Sequence, residues 1–304
     1  MQAVSKKIAL LRDRQVDLDI RVRAYVRARL GKDIQQIPSS DFIDAQFDVA
    51  GAPRPERFIA LLSTPRSGST LVSDVLYQAG IGIPHEYFQS SQYAKLCAAR
   101  WSVPTHAASG LPVKWEQYAD ALLKNRTTRN GVFACNIHAS HINAFNASKI
   151  DHARDFEYVV IFRRNLIAQS ISYSAASQDM TWSSNYSDHG RRRYCFTHIL
   201  RKARQLEWQY DQMRAFADAH SLRELFVYED IAKDLPAEIS RVLGLARDQV
   251  PVPRIEKQRA STKNEFLDRF RADTKRYGLQ RIVTEMELRH RQVERDLSGI
   301  ANQT

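Results

Sequence analysis

The sequence predicts an α/β fold, a parallel sheet with helices on both faces, preceded by an N-terminal helical arm. Three observations lead there. Short, continuous apolar runs recur along the chain, stretches with helical spacing separate them, and a Pro/Ser/Gly-rich turn directly follows the first run. Strands covered on both faces read as unbroken apolar runs, and intervening helices imply βαβ units with a parallel sheet.

The elements follow in order. Val4 to Leu30 reads as a helix, with Ile8, Leu11, Leu18, Val22, Tyr25 and Val26 near helical spacing and Gly31 as its stop. Its remaining faces carry Arg and Asp, so it packs along one stripe. That stripe is expected to bury against a partner subunit or the arm's own core. A membrane surface suits it less, because Asp13, Asp17 and Asp19 interrupt the positive face and no Trp or Phe anchors the apolar one. Residues 31–56, with Pro38, Ser39, Ser40, Gly51, Pro53 and Pro55, read as a linker. The expected division is therefore 1–56 as arm and linker and 57–304 as the compact domain. Within that domain Phe58 to Leu62 is a buried strand, and a helix from Ser69 to Ala79 follows its turn. Val132 to His138 and Tyr158 to Phe162 are further strands, the latter followed by a helix from Asn165. Phe196 to His220 is a long amphipathic helix, and Leu225 to Tyr228 a late strand.

Composition narrows the function classes. In 304 residues, 43% apolar, no run approaches the roughly 18 apolar residues of a membrane span. Cys97, Cys135 and Cys195 are odd in number and widely spaced, as suits thiols in a reducing, cytoplasmic compartment. Forty-five Lys and Arg against 34 Asp and Glu give a net charge of +11. Arginine dominates that excess, and its planar fork matches phosphate and sulfate. No zinc-finger spacing, RNP-type aromatic motif or long basic tract points to nucleic acid; a small polyanionic ligand fits the same charge, and a solvated arginine-rich surface is the plainer alternative.

Ligands of such sheets lie beyond the carboxyl ends of the strands. There, Ser63-Thr64-Pro65-Arg66-Ser67-Gly68-Ser69-Thr70 joins the first strand to a helix. Gly68 permits close backbone approach, and the helix N-terminus offers free N–H groups. Ser67, Ser69 and Thr70 add hydroxyls, and Arg66 adds a fixed charge. The loop is P-loop-like but lacks the first Gly and the Gly-Lys pair of a Walker A motif. An ordinary capped turn is the plainer alternative. A second cluster follows the strongest strand: Arg163, Arg164 and Asn165, with Asn165 as N-cap and Ser172 two turns along the helix. Arg164 and Ser172 are expected to converge on a second anion.

These motifs resemble those of sulfotransferases that use 3′-phosphoadenosine 5′-phosphosulfate (PAPS), and more narrowly the bacterial Stf0 type, which includes trehalose 2-sulfotransferases. The resemblance rests on Thr64 to Leu71, on Gly80 to Phe88 with its Pro84-His85-Glu86-Tyr87-Phe88, on Arg163 to Ser172, and on Tyr228-Glu229-Asp230-Ile231. It covers residues 57 to 272, with Gln258 to Phe270 loosely matching a C-terminal helix, and it leaves the arm outside. It implies the sulfotransferase fold and PAPS as sulfuryl donor, with PAP as product. It also implies a carbohydrate or glycolipid acceptor and a homodimer, with no metal required. The implied 5′-phosphosulfate site comprises Arg66, Ser67, Gly68, Ser69 and Thr70. Arg164 and Ser172 would hold the 3′-phosphate. Arg66 falls where many relatives carry Lys and is assigned to the leaving oxygen. Glu86 is the implied general base, with His85 as the alternative; neighbouring side chains of extended backbone point opposite ways, so only one should face the sulfuryl group. Tyr87 and Phe88 are read as core.

Two residues depart from the family pattern, and the second bears on the acceptor. Asn165 stands for the usual Asp, and Asn136 stands where a Lys is expected, which weighs against a trehalose-like acceptor. The unmatched stretches Arg100 to Gly131 and Gln178 to Arg193 are expected to shape the acceptor pocket. His85, His138, His141 and Trp182 are possible acceptor contacts. His138 and His141 could otherwise be metal ligands, but no third ligand is evident. Of Trp101, Trp115 and Trp182, at least two are expected to be packed. Arg191, Arg192 and Arg193 are read as a solvated turn or as anion contacts. A P-loop-like kinase and a non-catalytic basic nucleotide- or nucleic-acid-binding protein remain as the alternative functions. The resemblance leaves a cytoplasmic enzyme, in peripheral contact with the inner membrane face if its acceptor is a glycolipid.

Overall fold

The structure, a computed structural model, describes residues 2–29, 37–179, 182, 192–254 and 261–303. In chain order the elements are α1 (Gln2–Arg29), β1 (Arg57–Ser63), α2 (Ser69–Gln78), α3 (Tyr93–Arg100), α4 (Trp115–Arg126), β2 (Val132–His138), α5 (Ile142–Ser148), β3 (Phe156–Phe162), α6 (Leu166–Asp179), α7 (Phe196–Ala219), β4 (Leu222–Val227), α8 (Tyr228–Lys233), α9 (Leu235–Leu243), α10 (Ser261–Tyr277) and α11 (Gln280–Ala301). The strands form one parallel sheet in the order β2-β1-β3-β4. All four expected strands are present. The last one ends a residue early, because Tyr228 opens α8. No helix among the described residues is long and apolar enough to cross a membrane.

Alternate residues of each strand enter different cores, which is why the runs are continuously apolar. Phe58, Ala60 and Leu62 face a core shared with α4, α6, α7, α10 and α11, whereas Ile59 and Leu61 face one shared with α2 and α9. The chain leaves β1 toward β2 and then crosses back to β3. The carboxyl ends of β1 and β3 therefore flank the point where the connections diverge, the usual crevice for a ligand.

The arm docks differently from the sequence expectation. Its stripe does not bury against its own core: Ile8, Leu11, Leu18, Val22, Tyr25 and Val26 are all exposed. The opposite, acidic face makes the contact. Asp13 accepts from the backbone N–H groups of Phe196 (3.0 Å) and Thr197 (2.6 Å), placing an anion on the N-terminus of α7. Asp17, 4% exposed, pairs with Arg201, and Asp19 pairs with Arg193 at 2.6 Å. The carboxylates that seemed to interrupt a membrane-binding face are the docking residues.

Residues 37–48, expected as linker, are packed against the domain. Phe42 and Ile43 are buried. Arg126, fully buried on α4, donates to the carbonyls of Phe42, Ile43 and Asp44 and pairs with Asp48 at 2.9 Å. Arg100 and the indole of Trp101 also bind Asp48. Sequence patterning misses this because the segment has no periodicity of its own; its backbone carbonyls are satisfied by one distant guanidinium. Arg126→Ala would leave the carbonyls of Phe42, Ile43 and Asp44 without their donor, while Asp48 keeps Arg100 and Trp101, and it is expected to cost about 2–4 kcal/mol. Urea unfolding measures this, and a loss under about 1 kcal/mol would show that residues 37–48 lie outside the cooperative core.

Candidate active site

The loop after β1 is held in a conformation its residues resist. Arg66 has φ 67° and Gly68 φ 101°, both left-handed. For a non-glycine residue this costs about 1–2 kcal/mol, so something must fix it. Gln169 of α6 donates to Thr64 Oγ1 (2.8 Å) and to the Pro65 carbonyl (2.9 Å). Tyr210 of α7 holds Gln169 in turn at 2.9 Å and accepts from the Arg163 backbone N–H at 3.2 Å. Arg163 donates to the Arg66 carbonyl at 2.9 Å and lies over the Tyr228 ring at 4.4 Å. A Cβ at Gly68 would meet that ring at 2.7 Å, so only glycine fits. The loop is thus clamped from β3, α6, α7 and α8.

The clamp leaves the groups an anion needs. Gly68 is the N-cap of α2 and its carbonyl accepts the Leu71 and Val72 N–H groups, while the helix end faces the crevice. Ser67 Oγ is buried with no hydrogen-bond partner. Burying a hydroxyl unpaired is costly, and an oxyanion in the loop would satisfy it. The donor set fits the phosphate end of a nucleotide.

The expected second anion site is not assembled as the sequence suggested. Ser172 Oγ accepts from Arg66 Nε at 3.1 Å, and Arg66 also donates to the Trp182 carbonyl. Arg164 turns away, bonding Glu294 at 2.6 Å and Asp230 at 2.9 Å. It lines a separate cavity of about 630 Å³ between the start of α6 and helices α10 and α11. The sequence gives the spacing on the helix but not the two carboxylates, one of them 130 residues away, that compete for the guanidinium. Asn165 does cap its helix, accepting from the Ala168 N–H at 2.9 Å.

Across the crevice, the Pro84–Phe88 segment runs past the carboxyl end of β2. Its neighbours point opposite ways: His85 pairs with Asp41 at 2.8 Å, while Glu86 faces His138 (3.6 Å) and His141 (3.8 Å). Tyr87 and Phe88 are fully buried, as expected. The third group beside the two histidines, absent from sequence reasoning, is Glu86; a ligand atom of each lies within 4.8 Å of the others. One hydrogen bond sets the tautomer of His141. His141 Nδ1 accepts the His138 backbone N–H at 3.1 Å, which leaves the ring proton on Nε2, directed at Glu86. Burial and the neighbouring His138 and His85 hold the His141 pKa well below its ordinary value, so the ring stays neutral. Serving a cation through Nε2 would require the other tautomer and the loss of the His138 contact. Glu86 therefore faces a neutral donor.

One cavity of about 500 Å³ joins the two halves, with Thr70 of the loop, His85, Glu86, Asn136 and Trp182 on its walls. Its other wall is Ser39, Ser40, Asp41 and Phe42, from the segment expected as linker, and no residue of 100–131 lines it. Asn136 accepts from Ser63 Oγ at 2.6 Å, and its N–H holds the His85 carbonyl at 2.8 Å. Trp101, Trp115 and Trp182 all pack against the core, where at least two of the three were expected to. Arg193 is held by Asp19 of α1 rather than by the crevice; Arg191 and Gln258 lie outside the described residues.

A sequence profile of the Stf0 sulphotransferase family matches residues 58–273. Similar solved structures include the sulfotransferase domain of the Synechococcus PCC 7002 olefin synthase, 16% identical, with 67% of this chain and 76% of that one covered at a TM-score of 0.36. Another is sulfotransferase STF1 from Mycobacterium tuberculosis H37Rv, 12% identical, with 73% of this chain and 76% of that one covered at a TM-score of 0.38. No curated protein matches the chain. The profile spans the clamped loop, Glu86, both histidines, Arg164 and Ser172. By that match, the chain belongs to the Stf0 sulphotransferase family of sulfuryl-transferring enzymes.

Proposed function

We propose that the protein transfers the sulfuryl group of PAPS to a hydroxyl of a carbohydrate or glycolipid, with Glu86 as general base and Arg66 at the leaving oxygen. The observation that carries the reading is a cavity lined by both Thr70 of the anion loop and Glu86. PAPS, the general donor of sulfotransferases, supplies a sulfuryl group on a good leaving phosphate. The chain's residues do the rest. The Ser67–Thr70 backbone and hydroxyls hold the 5′-phosphate, and Ser67 Oγ gains the partner it lacks. Glu86 takes the acceptor hydroxyl's proton as the new O–S bond forms and the bond to the bridging oxygen breaks. Arg66 and the loop N–H groups neutralise the charge left on that oxygen. His141, a neutral donor, steadies the carboxylate without a competing positive charge.

The acceptor class is inferred from the cavity. Ser39, Ser40, Asp41 and Asn136 offer hydrogen-bonding groups, and Trp182 offers an indole face, a combination suited to a hydroxyl-rich sugar. Neutral Asn136 in place of a lysine favours an uncharged hydroxyl neighbourhood. Three buried free thiols accord with a cytoplasmic enzyme.

The 3′-phosphate is assigned to Arg164, which must exchange Glu294 or Asp230 for it. Its guanidinium is 44% exposed, and exposed ion pairs are worth about 0–1 kcal/mol each, so a phosphate dianion can displace them. Adenosine 3′,5′-bisphosphate should therefore raise Tm well above the effect of adenosine 5′-phosphate, a ligand at 100 times its Kd stabilising by about 2.7 kcal/mol. In Arg164→Ala the two nucleotides should become nearly equal. Equal shifts in the unaltered protein would remove the 3′-phosphate from this account.

Glu86→Gln keeps the shape and removes the base. It is expected to lower kcat about 10²- to 10⁴-fold with labelled PAPS, while bisphosphate affinity stays within a few-fold. His85→Asn should be mild by comparison, since that ring is turned to Asp41. The reverse ranking would make His85 the base.

A further inference from the structure

We infer that Glu294 of α11 is an internal competitor for the 3′-phosphate: it holds Arg164 while the nucleotide site is empty and thereby sets how tightly the nucleotide is kept. The inference rests on the assignment of the 3′-phosphate to Arg164 proposed above. Glu294 itself lies beyond residue 273, where the match to the family profile ends.

Three carboxylates surround one guanidinium. Arg164 donates from Nε to Glu294 Oε1 at 2.6 Å and from Nη1 to Asp230 Oδ1 at 2.9 Å. Glu229 accepts from the backbone N–H groups of Arg164 (2.9 Å) and Asn165 (3.1 Å). A phosphate dianion can join such a group only when a carboxylate withdraws, because like charges at close range repel. Glu229 is fixed by two N–H groups at the start of α6, where the helix end favours an anion. Of the two carboxylates on the guanidinium, Glu294 makes the shorter contact and is the less exposed, 18% against 41% for Asp230. It is therefore the stronger rival for the phosphate.

The aim of Glu294 is fixed by its helix. His290, one turn earlier on the same face, is buried, stacks on Phe162 at 4.5 Å and donates from Nε2 to the Arg163 carbonyl at 2.7 Å. Val293 and Leu297 are buried beside it. One helix thus reads two consecutive residues, His290 the backbone of Arg163 and Glu294 the side chain of Arg164. The helix is locked by its core contacts, so only the Glu294 side chain is free to turn. Arg291, three positions before it and on the wall of the same cavity, is a second cation within its reach. Two arrangements follow: Glu294 on Arg164 with the site empty, and Glu294 on Arg291 with Arg164 on the phosphate. A ligand that needs the second arrangement binds with an affinity reduced by the fraction of chains already in it. Adenosine 5′-phosphate makes no demand on Arg164 and escapes that reduction.

The test uses the full chain and isothermal titration calorimetry with adenosine 3′,5′-bisphosphate and adenosine 5′-phosphate. Glu294→Gln keeps the shape and removes the charge. It should tighten bisphosphate binding about 10-fold and leave the 5′-phosphate within about twofold. The melting temperature of the free chain should move by no more than about 2 °C. In an Arg164→Ala background the same substitution should change bisphosphate affinity by less than about twofold, because the competition passes through the guanidinium. Three outcomes would each overturn the inference. One is bisphosphate binding that is unchanged or weaker in Glu294→Gln. Another is equal tightening of both nucleotides, the mark of a general charge effect. The third is a gain that persists without Arg164, which would make Glu294 a repulsive neighbour of the phosphate. The underlying assignment fails separately: an unaltered chain that binds both nucleotides equally takes Arg164 off the 3′-phosphate and this inference with it. A preference for the bisphosphate that Arg164→Ala abolishes and Glu294→Gln leaves alone removes this inference only.

Discussion

Everything in the crevice depends on the left-handed turn at Arg66 and Gly68. A loop of Ser, Gly and Arg would not keep that shape alone, because Arg66 is strained there and Ser67 buries a hydroxyl with nothing to bond. The surrounding helices over-determine it. Gln169 reads two groups of the loop at once, Arg163 reads a third, and Tyr210 braces both. The result is a preorganised set of donors whose unmet hydrogen-bonding capacity is the binding energy available to an oxyanion, and no reorganisation is needed when charge develops.

The clamp also decides where the acceptor stands. Because β1 and β2 are paired in register to Ser63 and His138, the loop and the histidine pair emerge side by side at the carboxyl ends of adjacent strands. Asn136 ties them, bonding Ser63 on one side and the His85 backbone on the other. Glu86 is thereby turned to the histidines and His85 to Asp41. The outer wall comes from residues 39–42, fixed by Arg126 at a distance from any catalytic group. A charge buried for structure thus sets the shape of a cavity built for chemistry.

The strands and the anion loop were legible in the sequence because their signals are local. Phe58 to Leu62 and Tyr158 to Phe162 are apolar without interruption, and Gly68 sits between a strand and a helix, where φ must be positive. Glu86 was legible through resemblance. What stayed hidden is long-range. The partner of Ser172 is Arg66, not Arg164, since Asp230 and Glu294 draw Arg164 aside. Glu86 joins His138 and His141 only after β1 and β2 pair. Residues 37–48 looked like linker because their order comes from Arg126, and Asp13, Asp17 and Asp19 looked like surface charge because their partners lie on and just before α7, nearly 200 positions on. Gln169 lay within the Arg163 to Ser172 motif without a role of its own, and Tyr210 carried no motif at all.

The most direct test of the central claim is a crystal structure of the full chain with adenosine 3′,5′-bisphosphate. The account predicts the 5′-phosphate within hydrogen-bond distance of the Ser67 to Thr70 N–H groups, Ser67 Oγ newly bonded to it, and the Gln169 contacts to Thr64 and Pro65 intact. A nucleotide seated with its 5′-phosphate elsewhere, and Ser67 Oγ still without a partner, would contradict it.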